Sequence, residues 1–112
     1  MQYLSQEIQN DIRWHALDEY PNECCGIIVE QNHKSICINC DNVSADKQLS
    51  FEISGKDYLK AQSIGDIKAY YHSHPNDKIG KFSPCDKAIS KSHGVPLILF
   101  SMLNNKFIEY NS

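Results

Sequence analysis

His72-Ser73-His74 sets two imidazoles two residues apart at the end of an apolar run, and neutral imidazole is the commonest protein ligand for zinc. On an extended strand, residues two apart point to one face, about 6 to 7 Å apart along the chain, so both rings can converge on one ion. Ser73 then faces the other way. A hydrolytic zinc needs a third protein ligand and an open position for water, and Asp86, at the start of the next helix, is placed to supply that ligand from a separate element. The chemistry also needs a carboxylate that takes a proton from the attacking water; Glu23, just ahead of the first strand, is the candidate. Ser83 is the candidate donor to the oxyanion formed when water attacks a carbonyl.

Each signal taken alone has a plainer reading. Two histidines near a strand end arise often by chance. Ser83-Pro84-Cys85-Asp86 is first of all a helix start, with Ser83 as cap, Pro84 at the first helical position and Asp86 reaching back. Capping and metal binding do not exclude each other. Cys37-x-x-Cys40 has no second such pair and alternates with Ile36 and Ile38, so it reads as strand packing. Cys24, Cys25 and Cys85 surround the candidate site but have no paired histidine in sequence, and they read as packing thiols rather than nucleophiles. His15 reads as a partly buried helix residue, His33 as a solvated turn residue, and His93 as a partner for the last carbonyls of a short helix. Tyr70 and Tyr71 belong to a strand, where packing is the default.

The elements that must position these groups follow from periodicity. Apolar residues at Ile8, Ile12, Trp14, Ala16 and Leu17 predict a helix from about Ser5 to Tyr20, closed by Pro21. Cys24 to Val29 and Ser35 to Cys40 predict a hairpin across a Gln-Asn-His-Lys turn. The alternation of Leu49, Phe51 and Ile53 suggests a strand over Gln48 to Ile53, following a polar loop from Asn42 to Lys47. A helix over Gly55 to Ile64, a buried strand over Asp66 to Ser73 and a short helix over Asp86 to His93, stopped by Gly94 and Pro96, come next. Strands over Leu97 to Met102 and Lys106 to Tyr110 flank an Asn104-Asn105 turn. The order implies one mixed sheet with helices packed on it, in a single domain over residues 1–112.

Composition narrows the function classes. The chain is 41% hydrophobic and 22% charged, as expected of a folding globular domain. Its net charge of -3, with Lys and Arg scattered, gives no basic stripe for nucleic acid. The first residues form no signal peptide, and the longest apolar stretch, Val95 to Leu103, is broken by Pro96 and Ser101, so neither secretion nor a membrane span is expected. Five cysteines, an odd set without a secretion signal, read as reduced thiols in a cytoplasmic compartment.

The strings HALDEYPNECCGIIV and YYHSHPNDKIGKFSPCDKAIS together resemble the JAMM, or MPN-plus, metallopeptidase pattern of a glutamate, then His-x-His-Pro, then Ser-x-x-Asp. The likeness runs from His15 to about Ser90 and includes the Pro-x-Glu-x-Cys-Gly stretch at Pro21, Glu23, Cys25 and Gly26. It implies zinc held by His72, His74 and Asp86, Glu23 as general base and Ser83 as the oxyanion-stabilising residue. It further implies a three-layer α/β/α fold around a mixed sheet, similar to that of cytidine deaminases, and hydrolysis of amide or isopeptide bonds in a protein or peptide substrate, including ubiquitin-like proteins. Eight residues, Pro75 to Phe82, separate His74 from Ser83, one more than the family pattern has, which makes Asp77 a reserve carboxylate. A ligand at a helix start is more rigid than one in a loop, which favours Asp86. A deaminase is the poorer reading, because its His-x-Glu and Pro-Cys-x-x-Cys signature is missing. The rival from another class is a non-catalytic interaction module that keeps the fold without the metal. The short form resembles prokaryotic and phage members, some acting on ubiquitin-like or sulfur-carrier proteins and others in phage tail assembly, with a cytoplasmic or virion-associated location.

Overall fold

The computed structural model describes residues 3–76 and 82–111. Helix α1 (Gln6–Glu19) is capped by Ser5, whose Oγ accepts the Ile8 N–H at 3.2 Å. Its inner face is Ile8, Ile12, His15 and Ala16, spaced three and four apart. Trp14 and Leu17, which the sequence groups with that face, point outward at 68% and 60% exposure. The reason is angular: neither falls on the i, i+4, i+7 stripe that begins at Ile8.

Strands β1 (Cys25–Gln31) and β2 (Lys34–Cys40) form the expected hairpin, with Asn32 and His33 both at positive φ in its two-residue turn. Then come α2 (Gly55–Ile64), β3 (Asp66–His74), α3 (Pro84–His93), β4 (Leu97–Ser101) and β5 (Lys106–Tyr110). The sheet order is β2-β1-β3-β4-β5, with β3 and β4 parallel and the other neighbours antiparallel. The crossover through α3 supplies the parallel pair.

The strand expected over Gln48 to Ile53 does not form. A single bridge, Asn42 to Ile53, is all that remains of it. The local backbone bonds instead into turns, with the N–H groups of Leu49 and Ser50 both donating to Asp46 O, while the Glu52 N–H is taken by the Asn42 side chain. The apparent alternation was misleading, since Leu49 is 78% exposed and Phe51 is buried.

Alternation along the strands builds two apolar layers. Ile28, Ala69, Tyr71, Ile98 and Phe100 meet Ile8, Ile12 and Ala16 of α1 on one face. Ile27, Val29, Tyr70 and Leu97 meet Ala61 of α2 and Ile89 of α3 on the other. The result is a three-layer α/β/α sandwich around a mixed five-stranded sheet. Gly26 is required where it stands: a Cβ there would run into the Tyr71 ring on the neighbouring strand. Among the described residues, no helix is long and apolar enough to cross a membrane.

Candidate metal centre

His72 and His74 end β3, and both are buried. The His72 Nδ1 lies 3.0 Å from the carbonyl of Ile98 on the parallel neighbour β4. A carbonyl only accepts, so Nδ1 carries the proton and the Nε2 lone pair points into the site. A backbone partner of this kind fixes the tautomer that metal binding needs. Phe51 stacks on the other side of the ring, at 4.7 Å between centroids, and limits its rotation.

Asp86 arrives from the first turn of α3. Its Oδ2 accepts the Ser83 N–H at 2.9 Å, and the Ser83 Oγ accepts the Asp86 N–H at 3.0 Å, a complete capping box. The same Oδ2 lies 3.1 Å from His72 Nε2 and 3.2 Å from His74 Nε2, and the two Nε2 atoms are 3.1 Å apart. Three donors bonded to one tetrahedral zinc at about 2.0–2.1 Å stand about 3.3 Å from one another. The donor set therefore fits such an ion in size as well as in chemistry. Glu23, 4% exposed, is a second carboxylate here: its oxygen and the two imidazoles lie within 4.8 Å of one another.

The charge states suit a cation. Burial pushes His72 below its ordinary value and so favours the neutral ring, outweighing the opposing pull of Asp86. Burial acts to raise Asp86, but its close contacts with His72 and His74 and the Ser83 N–H that it accepts outweigh that and hold the carboxyl well below the usual carboxylate range. His72 thus offers a neutral nitrogen beside an anionic Asp86 oxygen.

Glu23, His74 and Ser83 line one cleft of about 230 Å³, together with Leu49 and Pro75. The other two groups expected from the sequence, His72 and Asp86, do not line it but contact His74 and Ser83, which do. Ser83 uses a lone pair in the cap, so its O–H remains able to donate. Phe51 also lines a larger cleft of about 360 Å³ with Ile53, Tyr58, Tyr70 and His93, which holds none of the five groups. Asp77 lies outside the described residues.

Other expectations divide. All five cysteines are free thiols, and burial pushes Cys24 and Cys40 up to about 12, so neither is a nucleophile at neutral pH. His15 is on the α1 face of the sheet, with its Nδ1 2.8 Å from Tyr71 Oη. It is a core histidine, more buried than the sequence suggests. His93 serves Tyr70 rather than the helix end: its Nδ1 is 3.1 Å from Tyr70 Oη, while Gly94, in the left-handed region, closes α3. His33 is exposed in its turn, and both Tyr70 and Tyr71 are buried. Sequence reasoning missed the supports, namely Phe51, Asn42 and the Ile98 carbonyl. Only Asn42, a single asparagine opening a polar loop, left a trace in the sequence.

A mixed sheet carrying this cluster at the end of its central strand defines a domain of the JAB class. The chain belongs to the family of prokaryotic homologues of the JAB domain, which matches residues 5–108. It is also 36% identical over 85 residues to the tail tip assembly protein K of Escherichia phage N15, across 76% of this chain. The chain spans about a third (35%) of that relative's length.

Proposed function

We propose that this domain is a zinc-dependent hydrolase of amide or isopeptide bonds in a protein or peptide, acting in phage tail assembly. The observation that carries the reading is the convergence of His72 Nε2, His74 Nε2 and Asp86 Oδ2 to within 3.2 Å of one another. Zinc held there supplies Lewis-acid polarisation of a carbonyl and a water acidified toward neutrality. The chain's own groups do the rest. Glu23 takes a proton from the attacking water at its carboxylate and passes it to the leaving amine. Ser83 donates its hydroxyl hydrogen to the developing oxyanion, and His72 is kept in one tautomer by the Ile98 carbonyl.

The family membership and the phage relative support this reading, and the relative's name motivates the tail-assembly setting and a virion-associated location. A ubiquitin-like protein is one substrate of the right chemistry; a peptide is the other. A non-catalytic interaction module would have no need for both carboxylates beside two buried imidazoles.

The test is metal content by elemental mass spectrometry on tag-free wild type beside His74→Ala and Asp86→Ala. About one zinc per chain, lost in both variants, is expected. Well-folded wild type that holds no zinc after zinc is supplied overturns the proposal in favour of the interaction module. With zinc present, Glu23→Gln is expected to keep the metal and lose about 10²- to 10⁴-fold in hydrolysis of ubiquitin-like fusions or cell-wall stem peptides.

A further inference from the structure

Glu23 precedes β1, so no strand ladder holds it. Its N–H donates to Lys47 O at 2.7 Å, and its carbonyl accepts from Asn42 Nδ2 at 2.9 Å. Both partners belong to the polar loop that leads into the segment where a strand was expected. Asn42, buried, is the hub of that loop. Its Nδ2 also reaches Ser50 O at 3.0 Å and, more weakly, Lys47 O at 3.4 Å, while its Oδ1 accepts the N–H groups of Ser44 and Glu52 at 3.0 and 3.1 Å.

Bonds to Ser44, Ser50 and Glu52 would suffice to staple the loop to itself. The bond to Glu23 O does something else, because it ties the loop to the main chain of the residue whose carboxylate faces the two imidazoles. We infer that Asn42 is a positioning residue for Glu23, acting through the Glu23 peptide groups; this rests on the reading of Glu23 as the proton-transferring carboxylate. Asparagine suits the task chemically: it offers two donors and one acceptor with two lone pairs on a short stem, where aspartate keeps the acceptors and loses the donors. The demand is real, since misplacing a catalytic group by about 1 Å can cost about 10²-fold in rate.

The two halves of the amide allow a direct test on the full chain with Asn42→Ala and Asn42→Asp. Protein grown with ¹³C-carboxyl glutamate gives a Glu23 signal, assigned by its loss in Glu23→Gln, and amide hydrogen exchange is followed in parallel. Both variants are expected to bind as much zinc as wild type, to shift or broaden the Glu23 carboxyl signal, and to exchange the Glu23 N–H at least ~10-fold faster. Core amides such as Tyr71 and Ile98 should accelerate only as much as the fall in global stability requires. In Asn42→Asp the Ser44 and Glu52 amides should stay protected while Glu23 loosens, which a loop staple alone would not produce. Should Asn42→Ala fail to fold, Asn42→Asp carries the test. An unchanged Glu23 signal and exchange rate, or acceleration equal across the core, overturns the inference. The failure of the hydrolase reading is separate: wild type without zinc sinks that reading, while the Glu23 signals of the metal-free protein still decide the role of Asn42.

Discussion

Ser73 Oγ accepts the backbone N–H of Cys24 at 2.8 Å, so the residue between the two histidines fastens their strand to the residue after Glu23. The Ser73 N–H returns the contact by donating to Cys24 O at 3.0 Å. This double link sets the distance between the imidazoles and the carboxylate.

Ser73→Ala removes the acceptor and leaves a buried N–H short of a partner. Chemical denaturation should show a loss of about 1–3 kcal/mol, with the metal still bound. A variant as stable as wild type would mean that water or a backbone shift replaces the bond.

Metal removal should lower stability through mass action. A ligand present at 100 times its dissociation constant stabilises by about 2.7 kcal/mol, so a chelator should lower Tm in wild type by several degrees. In His72→Ala the chelator should change nothing. An equal chelator effect in both proteins would place the stabilising ion elsewhere.

Acid should weaken the fold partly through His15. Burial pushes its ring below the ordinary 6.5 and outweighs the opposite effect of Glu19, Asp18 and Asp41. The unfolded chain therefore takes up the proton first. The contribution of the neutral ring is complete above about pH 6.5 and is lost as pH falls toward the lower folded value, at up to about 1.4 kcal/mol per pH unit. His15→Gln should flatten this limb of the stability curve between about pH 6.5 and 5, measured by urea unfolding at each pH. An unchanged slope would remove His15 from the account.

Thiol labelling should sort the five cysteines by burial. Cys85 is exposed, Cys24, Cys25 and Cys40 are buried, and burial pushes the half-buried Cys37 up to about 12. A disulfide reagent at neutral pH should modify Cys85 quickly and the other four only on unfolding. Fast reaction of Cys24 or Cys25, read by peptide mass mapping, would revive a thiol role beside the site.

Much of this was legible from residue order. The helix over Gly55–Ile64 and the hairpin follow from periodicity and turn chemistry, because local preference and burial agree there. The candidate ligands were legible because two-residue spacing on a strand and a capping box on a helix each force a direction on a side chain. The segment from Gln48 to Ile53 was not. Its alternating Leu49, Phe51 and Ile53 satisfy the strand pattern, yet the outcome was decided by one asparagine side chain competing for the backbone groups a strand would use. On α1, Trp14 and Leu17 misled for a different reason, since hydrophobicity alone does not say which way a residue faces.

The double duty of Asp86 Oδ2 joins two properties that most proteins can vary independently. A helix start is usually a local matter, free to drift among related sequences so long as some cap remains. Here any substitution at Ser83 that tilts the first turn of α3 also swings the oxygen that faces His72 and His74. Natural variation in metal affinity and variation in the onset of this helix should therefore move together, and selection on either one constrains the other.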